Sequence, residues 1–252
     1  LAAISVARAA PDGYTLMQAT SSTMAINVTV FKRLPYEPLK DLTPVALLTA
    51  NPFFLVVSPN SPVTSVADLI ALAKEKPNHL NYGSSGPGTM HHLSTELLMS
   101  LTGIRMTQVP YKATPPAIMD LIAGHIQVMF GDATSTVPMI QQGKVRALAV
   151  STSTRVAVLP DVPTVAEAGV TGFESAAWQM IVAPGKTPRA VITMLNSEVR
   201  TIFSDADVRK ELSSRGLEPR ITGSPEELTE FVRTEIARWR PIIHQAGIAA
   251  SQ

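Results

Sequence analysis

The part of this 252-residue chain best equipped for chemistry is Asn81-Tyr82-Gly83-Ser84-Ser85-Gly86-Pro87-Gly88-Thr89-Met90-His91-His92. It reads as a strand that ends in a Gly/Ser loop and feeds a helix. Glycine lets the backbone turn tightly and approach a ligand closely. The first N–H groups of the helix have no intrahelical acceptor, and the positive end of the helix dipole lies behind them. Ser84, Ser85 and Thr89 add hydroxyl donors beside Gly86 and Gly88. Together these residues form a ready anion site for a carboxylate or a phosphate. The same residues also read as an ordinary strand–helix turn, capped by Thr89, with nothing bound.

Other positions are candidates on similar grounds. Thr20-Ser21-Ser22-Thr23 follows an early strand, and Asp132 follows a later one. Ligands of open α/β sheets bind beyond the carboxyl ends of strands. Each position also reads as a plain cap or turn. Trp178 can wall a pocket or pack in a core. His92 and Glu96 stand one helical turn apart, but no H-E-x-x-H or third ligand accompanies them. His92 is expected to orient the loop by hydrogen bonding, and no metal or cofactor is expected.

Known phosphate and hydrolase motifs fail. The dinucleotide fingerprint needs glycine where His91 stands. Gly185-Lys186-Thr187 resembles the end of a Walker loop, but Met180 occupies the place of its first glycine. The hydrolase elbow fails because Ser85 is followed by Gly86-Pro87. No nucleophile, base and orienting group assemble, so no enzyme is expected.

The elements that must hold these residues alternate strand and helix. Strands are expected at Tyr14–Ala19, Phe53–Val57, Leu80–Gly83, Ile126–Phe130, Val145–Val150 and Trp178–Ala183. Several are continuously apolar, as strands buried on both faces are. Helices open at Ser65, Thr89, Thr114-Pro115, Thr187-Pro188 and the Ser224-Pro225-Glu226-Glu227 capping box. Pro241 is expected to kink or end the last of these. The pattern predicts an α/β fold with mainly parallel sheets in two lobes. Residues 1–59 and 176–252 would form an outer lobe and residues 60–175 a middle lobe, with crossings near Val57–Pro59 and Glu174–Trp178.

Composition limits the partners. Net charge is +1, aromatics are 5% and no basic run exists, so nucleic acid is not expected. No run of eighteen apolar residues suggests a membrane span. The absence of cysteine rules out disulfides, thiolate metal sites and a cysteine nucleophile.

Six ordered segments resemble the Bug family, the substrate-binding proteins of tripartite tricarboxylate transporters. They are Ala-Pro-Asp-Gly-Tyr-Thr-Leu (10–16), Leu-Pro-Tyr-Glu-Pro-Leu-Lys-Asp-Leu (34–42), Tyr-Gly-Ser-Ser-Gly-Pro-Gly-Thr (82–89), Val-Pro-Tyr-Lys (109–112), Leu-Pro-Asp-Val-Pro-Thr-Val-Ala-Glu-Ala-Gly (159–169) and Ala-Pro-Gly-Lys-Thr-Pro (183–188). The resemblance implies a type II periplasmic binding protein of two α/β lobes that close on a ligand in their cleft. The ligand would be a small carboxylate: a dicarboxylate, tricarboxylate, amino acid or aromatic acid. A periplasmic, monomeric receptor would hand it to membrane transporter subunits. Ser84, Ser85, Gly86, Gly88 and Thr89 would hold the carboxylate. Ser21 and Ser22 would face the same cleft, with Asp132 and Trp178 near it.

Family members begin with a strand and a Pro/Gly-rich loop that this sequence does not contain, so an N-terminal strand–loop–helix is expected to be missing. Ala113 stands where glycine is common. A rival reading is the effector domain of a transcription regulator, which would need a helix-turn-helix that is not visible here.

Overall fold

The computed structural model describes residues 2–220 and 223–252. They divide into two compact units. The first holds the residues up to Ala50, Ala177–Leu212 and those from Glu218 onward. The second holds Asn51–Ala176 and Ser213–Leu217.

In the first unit, β1 (Met17–Thr20), β2 (Leu42–Asn51), β8 (Ala177–Pro184) and β9 (Glu218–Pro219) form a sheet in the order β1-β8-β2-β9. One face meets α1 (Ala2–Ala7) and α10 (Pro225–Gln245), where Val6, Met24, Trp178, Met180, Leu228 and Val232 cluster. On the other, Val45, Ala46 and Ala183 pack with Ile192 of α8 (Arg189–Ser204). A π-helical turn, Ser22–Ile26, runs into α2 (Asn27–Val30), and α3 (Pro38–Asp41) and most of α9 (Ala206–Ser214) complete the unit.

The mainly parallel sheet expected here is corrected by the pairing. β1 runs antiparallel to β8, and β2 antiparallel to β9. Apolar runs such as the end of β8 report burial; they do not encode strand direction. The expected strand Tyr14–Ala19 starts later, at Met17. Asp12 accepts the Tyr14 N–H at 3.0 Å, which holds Tyr14 in the turn, 93% exposed. β2 was not expected at all.

The second unit is a five-stranded sheet in the order β5-β4-β6-β3-β7. Its strands are β3 (Phe53–Val57), β4 (Asn81–Ser84), β5 (Thr107–Pro110), β6 (Val128–Asp132) and β7 (Arg146–Val150). β4 is parallel to β5 and β6, whereas β3 is antiparallel to β6 and β7. Phe53–Val57, expected with the outer lobe, thus pairs inside this sheet, and every residue of it is buried. Helices α4 (Val66–Glu75), α5 (Met90–Thr102), α6 (Thr114–Ala123) and α7 (Ala133–Gln141) complete the unit. Phe54, Val56, Ile118, Leu121, Ile126 and Met129 form its core.

Local signals set most helix ends. Ser65 caps α4 through the Asp68 N–H, and Ser224 with Glu227 forms the capping box of α10. The helix expected to open at Thr187-Pro188 begins one residue later, with Pro188 as its cap. Pro241 does not end α10, which runs on to Gln245. Trp239 and Ile243 are buried on either side of it, while Ala237, whose carbonyl loses its donor, is exposed to water.

Candidate functional site

Because β4, β5 and β6 are mutually parallel, their carboxyl ends lie along one edge of the sheet. Each then runs into a helix: β4 into α5, β5 into α6 and β6 into α7. The amino ends of three helices therefore meet this edge, where their N–H dipoles favour an anion.

The loop between β4 and α5 is built for that position. Gly86 and Gly88 have φ of +105° and +74°, which L side chains rarely adopt. Most of the polar groups in the loop hold the loop itself. The Ser84 hydroxyl oxygen accepts the Gly86 N–H at 3.2 Å and the Gln108 amide at 2.7 Å. Thr89 donates its hydroxyl proton to the Gly86 carbonyl at 2.7 Å and caps α5 through the His92 N–H. In this structure the Thr89 hydroxyl proton thus closes the turn. Among the described residues, the Ser85 hydroxyl and the N–H groups of Met90 and His91 have no hydrogen-bond partner.

His92 plays the orienting part expected of it. It is 3% exposed, and its Nδ1 accepts the Gly88 N–H at 3.2 Å. That acceptance leaves the proton on Nε2, which lies 3.3 Å from Glu96 Oε1. Tyr82 donates to the same oxygen at 2.8 Å and stacks on the His92 ring. Burial, followed by the charge of Glu96, pushes the Tyr82 hydroxyl well above its ordinary pKa, so it stays a donor. The His92–Glu96 spacing thus serves a strut. Among the described residues no three His, Asp or Glu side chains gather in a way that suits a metal ion.

A second group lies at the same edge. Asp132 ends β6, caps α7 by accepting the Ser135 N–H at 2.9 Å, and lies 3.5 Å from Nε2 of His91. Thr114, the first residue of α6, sets its hydroxyl 3.0 Å from that same nitrogen. Ala113 takes the cap position of α6, so the Thr114 side chain is free to reach His91. The His91 ring stands edge-on to Phe53, with centroids 4.8 Å apart. Burial acts to raise the Asp132 pKa, but hydrogen bonds from His91, Thr114 and Ser135 outweigh it, and the carboxyl is held well below the usual range.

The structure thus brings Ser84, Ser85, Gly86, Gly88, Thr89, His92 and Asp132 to one unit. Ser21, Ser22 and Trp178 belong to the other. Ser21 is buried at the start of the π-helical turn without capping it; Thr20 instead accepts the Thr23 N–H at 3.3 Å. Trp178 is 4% exposed, packs edge-on to Phe231 and donates its indole N–H to Glu235 at 2.9 Å. Sequence reading passed over His91, Thr114 and Gln108. No local signal links them, because their partners come from neighbouring strands and helices.

The model of one protein family, described as the tripartite tricarboxylate transporter family receptor, matches residues 1–248. The chain belongs to this receptor family. BugT of Bordetella pertussis is 31% identical over 242 residues, which are 96% of this chain and 74% of BugT. A solved R. palustris protein with adipate is 40% identical, with a TM-score of 0.86 over 98% of this chain and 83% of that one. MatC from Rhodopseudomonas palustris with bound malate is 36% identical, with a TM-score of 0.79 over 96% of this chain and 83% of that one. The two-sheet α/β fold is the fold of these receptors, and the effector-domain reading is not favoured. No helix among the described residues is long and apolar enough to cross a membrane.

Proposed function

We propose that this family receptor captures a small carboxylate in the periplasm and passes it, as a monomer and without chemical change, to the membrane subunits of a tripartite transporter. One observation carries the reading. At the amino end of α5, the N–H groups of Met90 and His91 and the Ser85 hydroxyl have no partner among the described residues, beside a loop whose other polar groups hold each other. Such donors neutralise a carboxylate without an arginine and need no cofactor. The adipate and malate held by two similar proteins support the ligand class.

Binding without catalysis fits the one grouping that resembles a relay. Thr114, His91 and Asp132 supply a hydroxyl, an imidazole and a carboxylate, but both partners address Nε2 of His91. A relay needs the base on one ring nitrogen and the orienting carboxylate on the other.

The test is a thermal-shift screen of carboxylates, with titration calorimetry of those that raise the Tm. Ser85→Ala is expected to weaken binding about tenfold, the loss of one charge-assisted hydrogen bond. A carboxylate that binds Ser85→Ala and the parent equally well would place the site elsewhere.

A further inference from the structure

Asp132 introduces a fixed negative charge at an edge otherwise rich in N–H donors. An ionised carboxylate only accepts hydrogen bonds, at about four lone-pair positions. Ser135 occupies one on Oδ1, His91 addresses the other oxygen, and Thr114 adds a further hydrogen bond. The side chain keeps 28% of its surface open, so accepting capacity remains and is reachable.

We propose that Asp132 is the specificity-determining residue of this site, selecting acids that carry a hydrogen-bond donor, a hydroxyl or an ammonium, on the carbon next to the bound carboxylate. The inference rests on the carboxylate reading above and deepens it. A ligand carboxylate is repelled by Asp132 and must settle on the N–H side. His91 links the two sides, since its main-chain N–H is free and its ring lies 3.5 Å from Asp132. One imidazole side chain and a 3.5 Å contact thus connect the N–H side to Asp132, a gap for a carboxylate, its adjacent carbon and a polar substituent to bridge. An unsubstituted acid leaves the open face of Asp132 against carbon, desolvated and unsatisfied. A hydroxyl or ammonium there makes a charge-assisted bond.

The experiment compares succinate with malate and aspartate, and adipate with 2-aminoadipate, by titration calorimetry on the parent and on Asp132→Asn. Asparagine caps a helix as well as aspartate does, so α7 keeps its start; Asp132→Ser, which also caps, serves as a second variant. The parent is expected to prefer a substituted acid over its plain counterpart by about tenfold or more. Both variants are expected to shrink that ratio to about threefold or less. Malate against aspartate tells a hydroxyl from an ammonium requirement. Succinate or adipate binding the parent as tightly as the substituted acids overturns the inference and leaves the carboxylate reading standing. An undiminished ratio in both variants also overturns it. Failure of every acid to bind removes the carboxylate reading and this inference with it.

Discussion

Gly88 donates its main-chain N–H to Nδ1 of His92 at 3.2 Å, so α5 uses one of its own side chains to hold the loop that leads into it. His92→Leu leaves that half-buried donor unpaired and takes one of two donors from Glu96. A stability loss of about 1–3 kcal/mol in urea is expected, with weaker carboxylate binding. A variant with unchanged urea midpoint and unchanged Kd would show that the loop stands without this strut.

Gly86→Ala isolates backbone strain. At φ of +105° nothing lies within 4 Å of an added Cβ, so no contact is disturbed. The left-handed conformation alone is expected to cost about 1–2 kcal/mol. The strain falls on the turn that presents Ser85, so binding should weaken as well. Calorimetry and thermal melts on the same variant separate the two effects. An alanine accepted at no cost to either would mean that the turn has another conformation available.

Both tryptophans of the chain donate to one oxygen of Glu235, Trp178 at 2.9 Å and Trp239 at 3.1 Å. Glu235→Ala leaves two buried indole N–H groups alone, at about 1–3 kcal/mol each. Glu235→Gln keeps an oxygen that can accept both, and should cost less. Melts followed by tryptophan fluorescence rank the three proteins. Equal Tm for the alanine variant and the parent would sink this account.

Asp132 makes stability depend on pH in one direction. Its carboxyl is held low in the folded protein by His91, Thr114 and Ser135 against the opposing effect of burial. Such a group stabilises fully above the unfolded value, about 3.9, and the gain is lost as pH falls through the lower folded value. The Tm difference between the parent and Asp132→Asn should hold steady from about pH 7 to 5 and narrow below about pH 4. A difference that instead narrows between about pH 7 and 5 would assign it to a different group.

Much of this was legible in the sequence wherever the cause was local. The Ser224–Glu227 capping box, the Thr89 cap, the left-handed Gly103 that closes α5 and the glycines of the loop each act within a few residues. What could not be read depends on neighbours in space. The antiparallel pairing of β1 with β8 joins segments far apart in the chain, and neither strand carries a local mark of its partner's direction. β2 was hidden because Leu42-Thr43-Pro44-Val45-Ala46-Leu47-Leu48 carries proline and lacks a run of branched residues. At the site the sequence singled out the loop and His92. It did not reveal that Thr89 spends its proton on Gly86, or that His91, Thr114 and Asp132 meet, because sheet order alone brings β6 and α6 to α5.

The donors left open at the start of α5 are mostly main-chain N–H groups, and every amino acid except proline supplies one. A point mutation at Met90 or His91 changes a side chain and leaves the peptide N–H in place. On the proposed reading, the main-chain part of the grip on a carboxyl group is insulated from mutation, while the choice among carboxylic acids rests on exchangeable side chains such as Asp132. A receptor that bound in this way would drift from one acid to another while keeping its main-chain donors.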